Sequence, residues 1–161
     1  MYKSKRFIIA VLLIVSFSSV PAFSAELEHV VGAGIGLPYG GFGVNYELGV
    51  CDYFAPVLGV GLLPDNIGWN VGARLYYPGR DAKFRARLTA LYGTNTLVEH
   101  KHSNDDYDTE TGMSGGVGLN WRFAQHWALD ADLFVVENDV PDGYEQEGSD
   151  VKIALGCSFR W

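Results

Sequence analysis

The side chains best suited to chemistry stand close together. His100-Lys101-His102-Ser103-Asn104 puts a hydroxyl within three residues of two imidazoles. A serine nucleophile needs its base held at hydrogen-bond distance in a fixed geometry, and this polar stretch offers no regular element to hold it. The same two histidines beside Asp105, Asp106 or Asp108 have the donor types of a metal site, although adjacent His in a polar loop more often only face water. Asn104-Asp105-Asp106-Tyr107-Asp108-Thr109-Glu110 sets oxygens at alternate positions, as calcium loops do. An EF-hand loop needs Gly at its sixth position and Glu at its twelfth. Counted from Asn104, those positions hold Thr109 and Gly115. The expectation is no catalytic residue, no dedicated metal site and no cofactor, with a solvated acidic surface that draws divalent cations diffusely.

A second set of reactive groups is dispersed at alternate positions: Glu28, Glu47, Arg74, Arg85, Arg87, Arg122, Asp130, Asp132, Lys152 and Arg160. Their neighbours explain the spacing. After residue 26 no helical period is sustained, and eight segments alternate a bulky apolar face with a small or polar one. Phe42, Val44, Tyr46, Leu48 and Val50 oppose Gly43, Asn45, Glu47 and Gly49. Ile67, Trp69, Val71, Ala73, Leu75 and Tyr77 oppose Gly68, Asn70, Gly72, Arg74 and Tyr76. The same rule covers Val117–Phe123, Trp127–Leu133 and Val151–Trp161, and less cleanly 28–37, 54–63 and 84–93. Such alternation means strands whose faces meet different environments. Short turns fall at Cys51-Asp52, Pro78-Gly79-Arg80-Asp81 and Ala124-Gln125; between them lie brief turns at Pro38-Tyr39-Gly40 and Pro64-Asp65-Asn66 and longer loops at 94–112 and 137–149. The predicted fold is all-β, an eight-stranded antiparallel up-and-down barrel.

The outward face decides the surroundings. The polar face is rich in Gly, including Gly32, Gly34, Gly43, Gly59, Gly61, Gly72, Gly116, Gly118 and Gly156. An eight-stranded bore is just wide enough for side chains to fill, so small residues belong inside and Trp69, Trp121, Trp127 and Trp161 outside. Aromatics on the apolar face gather near the short turns, at Phe54, Tyr77, Phe84, Trp121, Phe123, Trp127, Phe159 and Trp161. An apolar band with aromatic girdles marks a transmembrane barrel. Inside, the ten charged residues named above are expected to pair as a polar network, since a buried charge is costly unless paired.

The N-terminus fits this reading. Lys3, Lys5 and Arg6 precede a ten-residue apolar run, Phe7–Ser16, and a small-residue stretch ending at Ala22 or Ala25. That order is a secretory signal peptide, too short in its apolar core to span a bilayer. Residues 1–22 are therefore read as signal, with cleavage after Ala22 or alternatively Ala25, and 26–161 as the barrel domain. Composition excludes other classes. A net charge of −7 argues against nucleic-acid binding. Two cysteines exclude a disulfide-dense scaffold; Cys51, in the turn after the second segment, and Cys157, in the last one, are not neighbours in barrel order and are expected unpaired.

The C-terminal run Val151-x-Ile153-x-Leu155-x-Cys157-x-Phe159-x-Trp161 resembles the signal that outer-membrane barrels show to their assembly machinery, and Leu155, Phe159 and Trp161 carry it. The segment from Gly118 to Asp130 resembles the hairpin before the last strand of the small eight-stranded outer-membrane proteins, the superfamily of the OmpA transmembrane domain and OmpX. The resemblance implies a Gram-negative outer membrane, both termini in the periplasm, and contact with outer-membrane lipids, lipopolysaccharide and the barrel-assembly machinery. With nothing after Trp161, it implies no OmpA-like cell-wall tether. His100–Asn104 superficially resembles the His-x-Ser-Asn stretch of the eight-stranded lipid A 3-O-deacylases, but Lys101 stands where their catalytic His would be. The resulting expectation is a monomeric, non-enzymatic structural or surface-contact protein with a plugged interior. A deacylase-like lipid A enzyme and a narrow channel are the alternatives. Divalent cations at the acidic loops are the further partner.

Overall fold

The computed structural model describes residues 27–64, 66–79, 81–100, 107–136, 144–146 and 150–161; for 95–100, 107–110 and 144–146 the description covers the backbone alone. The predicted signal peptide and residues 101–106 lie outside it. Strands β1 (Glu28–Gly36), β2 (Gly41–Gly49), β3 (Phe54–Leu62), β4 (Ile67–Tyr77), β5 (Phe84–His100), β6 (Tyr107–Arg122), β7 (Trp127–Val136) and β9 (Val151–Arg160) pair antiparallel in meander order. β9 returns to β1, with Val30 opposite Arg160 and Ile35 opposite Leu155, and closes the barrel. The two ends of the closing pair are tied by His29 and Trp161, which exchange backbone hydrogen bonds of 3.0 and 3.2 Å. Closure leaves no free edge along this seam, the usual weak point of a sheet.

The alternating residues divide as their periodicity requires. Phe42, Leu62, Ile67, Leu119, Leu133 and Ile153 all point outward and are exposed. At the short-turn end the aromatics form a belt of two clusters. Phe84 stacks on Trp121, which meets Phe123 edge-on; Trp127 meets Phe159, which stacks on Trp161. At the opposite, loop end, Trp69 and Tyr92 make a second aromatic pair at 6.2 Å. Cys51 and Cys157 are both free thiols.

The loop end departs from the sequence reading in three ways. First, most of the expected loop 94–112 is strand. β5 runs to His100 and β6 begins at Tyr107, with Val98 opposite Asp108 and a register shift between Thr94 and Thr96. Beyond Gly93 and Ser114 the two strands no longer pair with β4 and β7, so the period that the barrel wall imposes on its two faces stops there. The β-branched Thr94, Thr96, Val98, Thr109 and Thr111 of this hairpin were the available signal. Second, the expected loop 137–149 contains a short strand, β8 (Tyr144–Gln146), paired with Val98–His100 of β5. The connection between β7 and β9 thus reaches past β6 to the far edge of β5.

Third, the brief turn at Pro38-Tyr39-Gly40 does not stay outside. Leu37–Tyr39 is a 3₁₀ turn folded into the lumen, with Leu37, Pro38 and Tyr39 all buried. Gly36 at φ 113° and Gly40 at φ 65° turn the chain in and out of the barrel, conformations a side chain would oppose. The glycines of the inward face give it room. A Cβ on Gly34 or Gly156 would overlap the Tyr39 ring or hydroxyl, and one on Gly59 or Gly61 would strike the Pro38 or Tyr39 carbonyl. Leu37 joins Val57, Leu91, Phe134, Val136 and Ala154 in a small apolar cluster inside the barrel. The interior at this level holds an apolar cluster, where the sequence suggested only polar filling.

Candidate functional site: the barrel lumen

Toward the short-turn end from that apolar layer, the inward positions of β2, β4, β5 and β7 carry charge. Arg87 on β5 lies opposite Gly118 on β6, and Gly118 lies opposite Asp132 on β7. Because Gly118 has no side chain, the Arg87 guanidinium reaches across β6. Its Nε donates to Asp132 Oδ1 at 2.7 Å, its Nη2 to Asp132 Oδ2 at 2.5 Å, and its Nη1 to Asp130 Oδ1 at 2.5 Å. A Cβ on Gly118 would overlap the Asp132 carboxylate. Bidentate contact of this kind is among the stronger side-chain interactions and fixes orientation as well as distance.

Two further pairs extend the network. Arg85 donates from Nε and Nη2 to Asn120 Oδ1, at 3.0 and 2.8 Å, while Asn120 Nδ2 donates to Asp130 Oδ1 at 2.7 Å. The Arg85 guanidinium also lies 4.4 Å from the centre of the Tyr76 ring. Arg74 pairs with Glu47, and the Tyr76 hydroxyl donates to the other Glu47 oxygen at 2.5 Å. Glu47, Arg74, Arg85, Arg87, Asp130 and Asp132 are all buried. Three guanidinium groups thus face three carboxylates, and the network is balanced in formal charge. Asn70 ties the in-folded turn to β5: its Nδ2 donates to the Leu37 carbonyl at 2.7 Å and to the Thr94 carbonyl at 3.2 Å.

The remaining four predicted interior residues sit at the two mouths, half-buried. Arg160 pairs with Glu28 at 2.9 Å, and Arg122 donates to the Asp81 carbonyl, both at the short-turn end. Lys152 lies at the opposite end, opposite Phe134. Leu155 and Trp161 of the C-terminal run face outward, with Phe159 half-buried between Trp127 and Trp161. Sequence reasoning missed Tyr39. Its signal was present only as a pattern, two glycines after Leu37-Pro38-Tyr39 and one before it, and acquired meaning once Gly32, Gly34 and Gly156 were seen to line the ring.

This arrangement holds charge still. Each buried cation is fixed by carboxylate or amide oxygens, and Tyr39 fills the space above. Ser103 and the neighbouring residues weighed as a nucleophile or metal site lie outside the described residues, and of His100, Asp108 and Glu110 only the backbone is described. On the outward face His29 Nδ1 and the Tyr46 hydroxyl are 2.6 Å apart, and His29 stacks on Trp161. That pair belongs to the aromatic belt of the short-turn end, remote from the long hairpin.

No protein-family model matches the chain. No curated protein sequence matches it either. Among solved structures it is similar to the N-terminal β-barrel domain of Pseudomonas aeruginosa OprF, with a TM-score of 0.54 and 14% identity. The match covers 84% of this chain and 96% of that one. The shared feature is the closed eight-stranded antiparallel barrel.

Proposed function

We propose that the chain is a small integral outer-membrane protein of a Gram-negative bacterium, with a closed lumen and a structural or surface-contact role, and without enzymatic activity. One observation carries this reading. The outward face is a continuous belt of exposed Phe, Leu, Ile, Val and Trp around the barrel, including Phe42 at 71%, Ile67 at 63% and Ile153 at 66% exposure. Soluble monomers rarely expose contiguous apolar patches beyond a few hundred Å². A bilayer covers such a belt, and a closed barrel leaves no unpaired backbone edge in lipid. The aromatic belt at the short-turn end fits one interface and Trp69 with Tyr92 the other.

In this reading residues 1–22 or 1–25 are removed on export. The short-turn end, carrying both ends of the mature barrel, faces the periplasm, and the β5–β6 hairpin stands outside the cell. The partners are outer-membrane lipids and lipopolysaccharide, the assembly machinery that reads Leu155, Phe159 and Trp161, and divalent cations at the acidic hairpin and loop. The closed lumen rests on the in-folded Leu37–Tyr39 turn above a paired charge layer. Planar bilayer recording tests it: the reconstituted chain is expected to insert and give no steady conductance. Reproducible, ion-selective single-channel steps would instead make it a narrow channel.

A further inference from the structure

Six buried polar atoms on one wall of the lumen take no part in the network described above. They are Asn45 Oδ1 and Nδ2 on β2, Asn70 Oδ1 and Arg74 Nε and Nη2 on β4, and Thr89 Oγ1 on β5. None has a hydrogen-bond partner among the described residues. The four residues are at most 4% exposed. The sheet register groups them. Asn45 and Asn70 lie in one row across β3 with only Gly59 between them, and Arg74 lies directly opposite Thr89. Gly72, midway between Asn70 and Arg74 on the same face, leaves that part of the wall without a side chain. The Arg74–Glu47 pair and the two hydrogen bonds of Asn70 Nδ2 use other atoms. The Tyr39 and Ser114 hydroxyls are likewise unpartnered, but Tyr39's lies against Gly156 on β9 and Ser114 stands opposite the apolar Leu91.

We propose that this wall is a binding site for long-lived internal water, held between Asn45, Asn70, Arg74 and Thr89. A buried polar atom without a partner is costly, and buried polar groups in folded proteins are met by protein or by ordered water. The atoms select the ligand. The Arg74 N–H groups only donate and the two Asn Oδ1 atoms only accept, so the ligand must do both. Three guanidinium groups already face three carboxylates in the network, so the ligand is uncharged. The in-folded turn on one side and the Arg87 layer on the other keep out larger solutes; this step rests on the closed lumen proposed above. A buried water makes about three hydrogen bonds, so six atoms call for about two waters. These waters join Asn70, which holds the Leu37 carbonyl, to the Arg74–Glu47 pair, and so couple the in-folded turn to the charge network.

The test uses the full mature chain folded in detergent micelles. Oxygen-17 magnetic relaxation dispersion of the solvent counts water molecules that stay bound for longer than the protein takes to tumble. Asn45→Leu and Thr89→Val each take binding atoms away, and each is expected to lower the dispersion amplitude by at least one water relative to the unaltered chain. Should Asn45→Leu fail to fold, Thr89→Val decides, because it keeps the β-branched shape. Urea unfolding of Thr89→Val gives a second reading with a definite sign. On a dry wall the hydroxyl is a buried unpaired group, and a methyl in its place raises the urea midpoint; a water-bound hydroxyl predicts a lower midpoint. An unchanged amplitude in the folded variants, or a raised midpoint in Thr89→Val, would overturn the proposal. Bilayer recording of the same chain separates this inference from the reading beneath it. Silence in the bilayer with no loss of bound water in the variants overturns the water site and leaves the closed lumen standing, whereas steady ion-selective steps overturn the closed lumen and this inference with it.

Discussion

Arg87→Met is expected to be among the most damaging single substitutions in the barrel. Arg87 is 2% exposed and binds two carboxylates at once, through contacts of 2.5 to 2.7 Å to Asp132 and 2.5 Å to Asp130. Removing the cation leaves two buried anions sharing one site, with the neutral Asn120 and Ser158 side chains still hydrogen-bonded to Asp130. Breaking a buried pair in this way costs about 3–5 kcal/mol, most of it from the stranded charge. Adding Asp132→Met removes one of the two stranded anions, so the double variant should be more stable than Arg87→Met alone, although it carries more substitutions. Urea unfolding of the chain reconstituted in lipid vesicles, followed by tryptophan fluorescence, gives the comparison. A loss below about 1 kcal/mol for Arg87→Met would match a solvent-exposed pair. With strict additivity in the double variant as well, it would show that water reaches the level of β5–β7 and that the charge layer is no seal.

Tyr39→Phe should be nearly neutral, because the hydroxyl has no hydrogen-bond partner among the described residues, whereas Tyr39→Ala should cost about 3–5 kcal/mol in the same urea assay by emptying the ring's site. Deleting Trp161 removes a ring stacked on His29 and Phe159 and the backbone tie to His29; the truncated chain is expected to reach the outer membrane at much reduced levels, measured by heat-modifiable gel mobility of membrane fractions. Eleven of the 19 acidic residues fall in 99–110 and 137–150, with Lys101 the single Lys or Arg in those stretches, so millimolar Ca²⁺ or Mg²⁺ should slow proteolysis there, and the protection should fade as salt rises. A saturable, salt-resistant site of micromolar affinity by calorimetry would replace diffuse screening with a dedicated one.

The strands were legible because two media impose a period of two on them. Ile67, Trp69, Val71 and Leu75 face one medium, while Asn70, Arg74 and Tyr76 face another, and no other backbone geometry satisfies both. Where that contrast ends, the sequence signal ends with it. Thr94–His100 and Tyr107–Thr111 continue as strand without apolar alternation, so they read as loop. The charged positions were legible as inward-facing from the same parity, but their distribution was not. Parity places Glu28 and Arg160 on the same face as Asp130 and Arg87; it does not place the first pair at a mouth and the second at mid-depth.

The glycines carry the clearest lesson in partial legibility. Small inward residues follow from a narrow bore, and that inference needs only the strand count. Their positions require more. Gly32, Gly34 and Gly156 lie on adjacent β1 and β9 around one ring, and Gly59 and Gly61 on β3 lie against the same turn's carbonyls. Gly118 lies apart, under the Arg87–Asp132 contact on β6. Two different objects therefore account for these six glycines: a folded-in aromatic turn in the half nearer the long hairpin, and a guanidinium crossing a strand in the half nearer the short turns; Gly72 and Gly116 meet neither and lie against Ala90 and Phe134. A barrel that merely avoided crowding could scatter its glycines evenly. One that must seat Tyr39 against β1 and β9 and pass Arg87 over β6 has to place these six where they stand, and the interior is then organised by what the glycines admit as much as by the charges that pair.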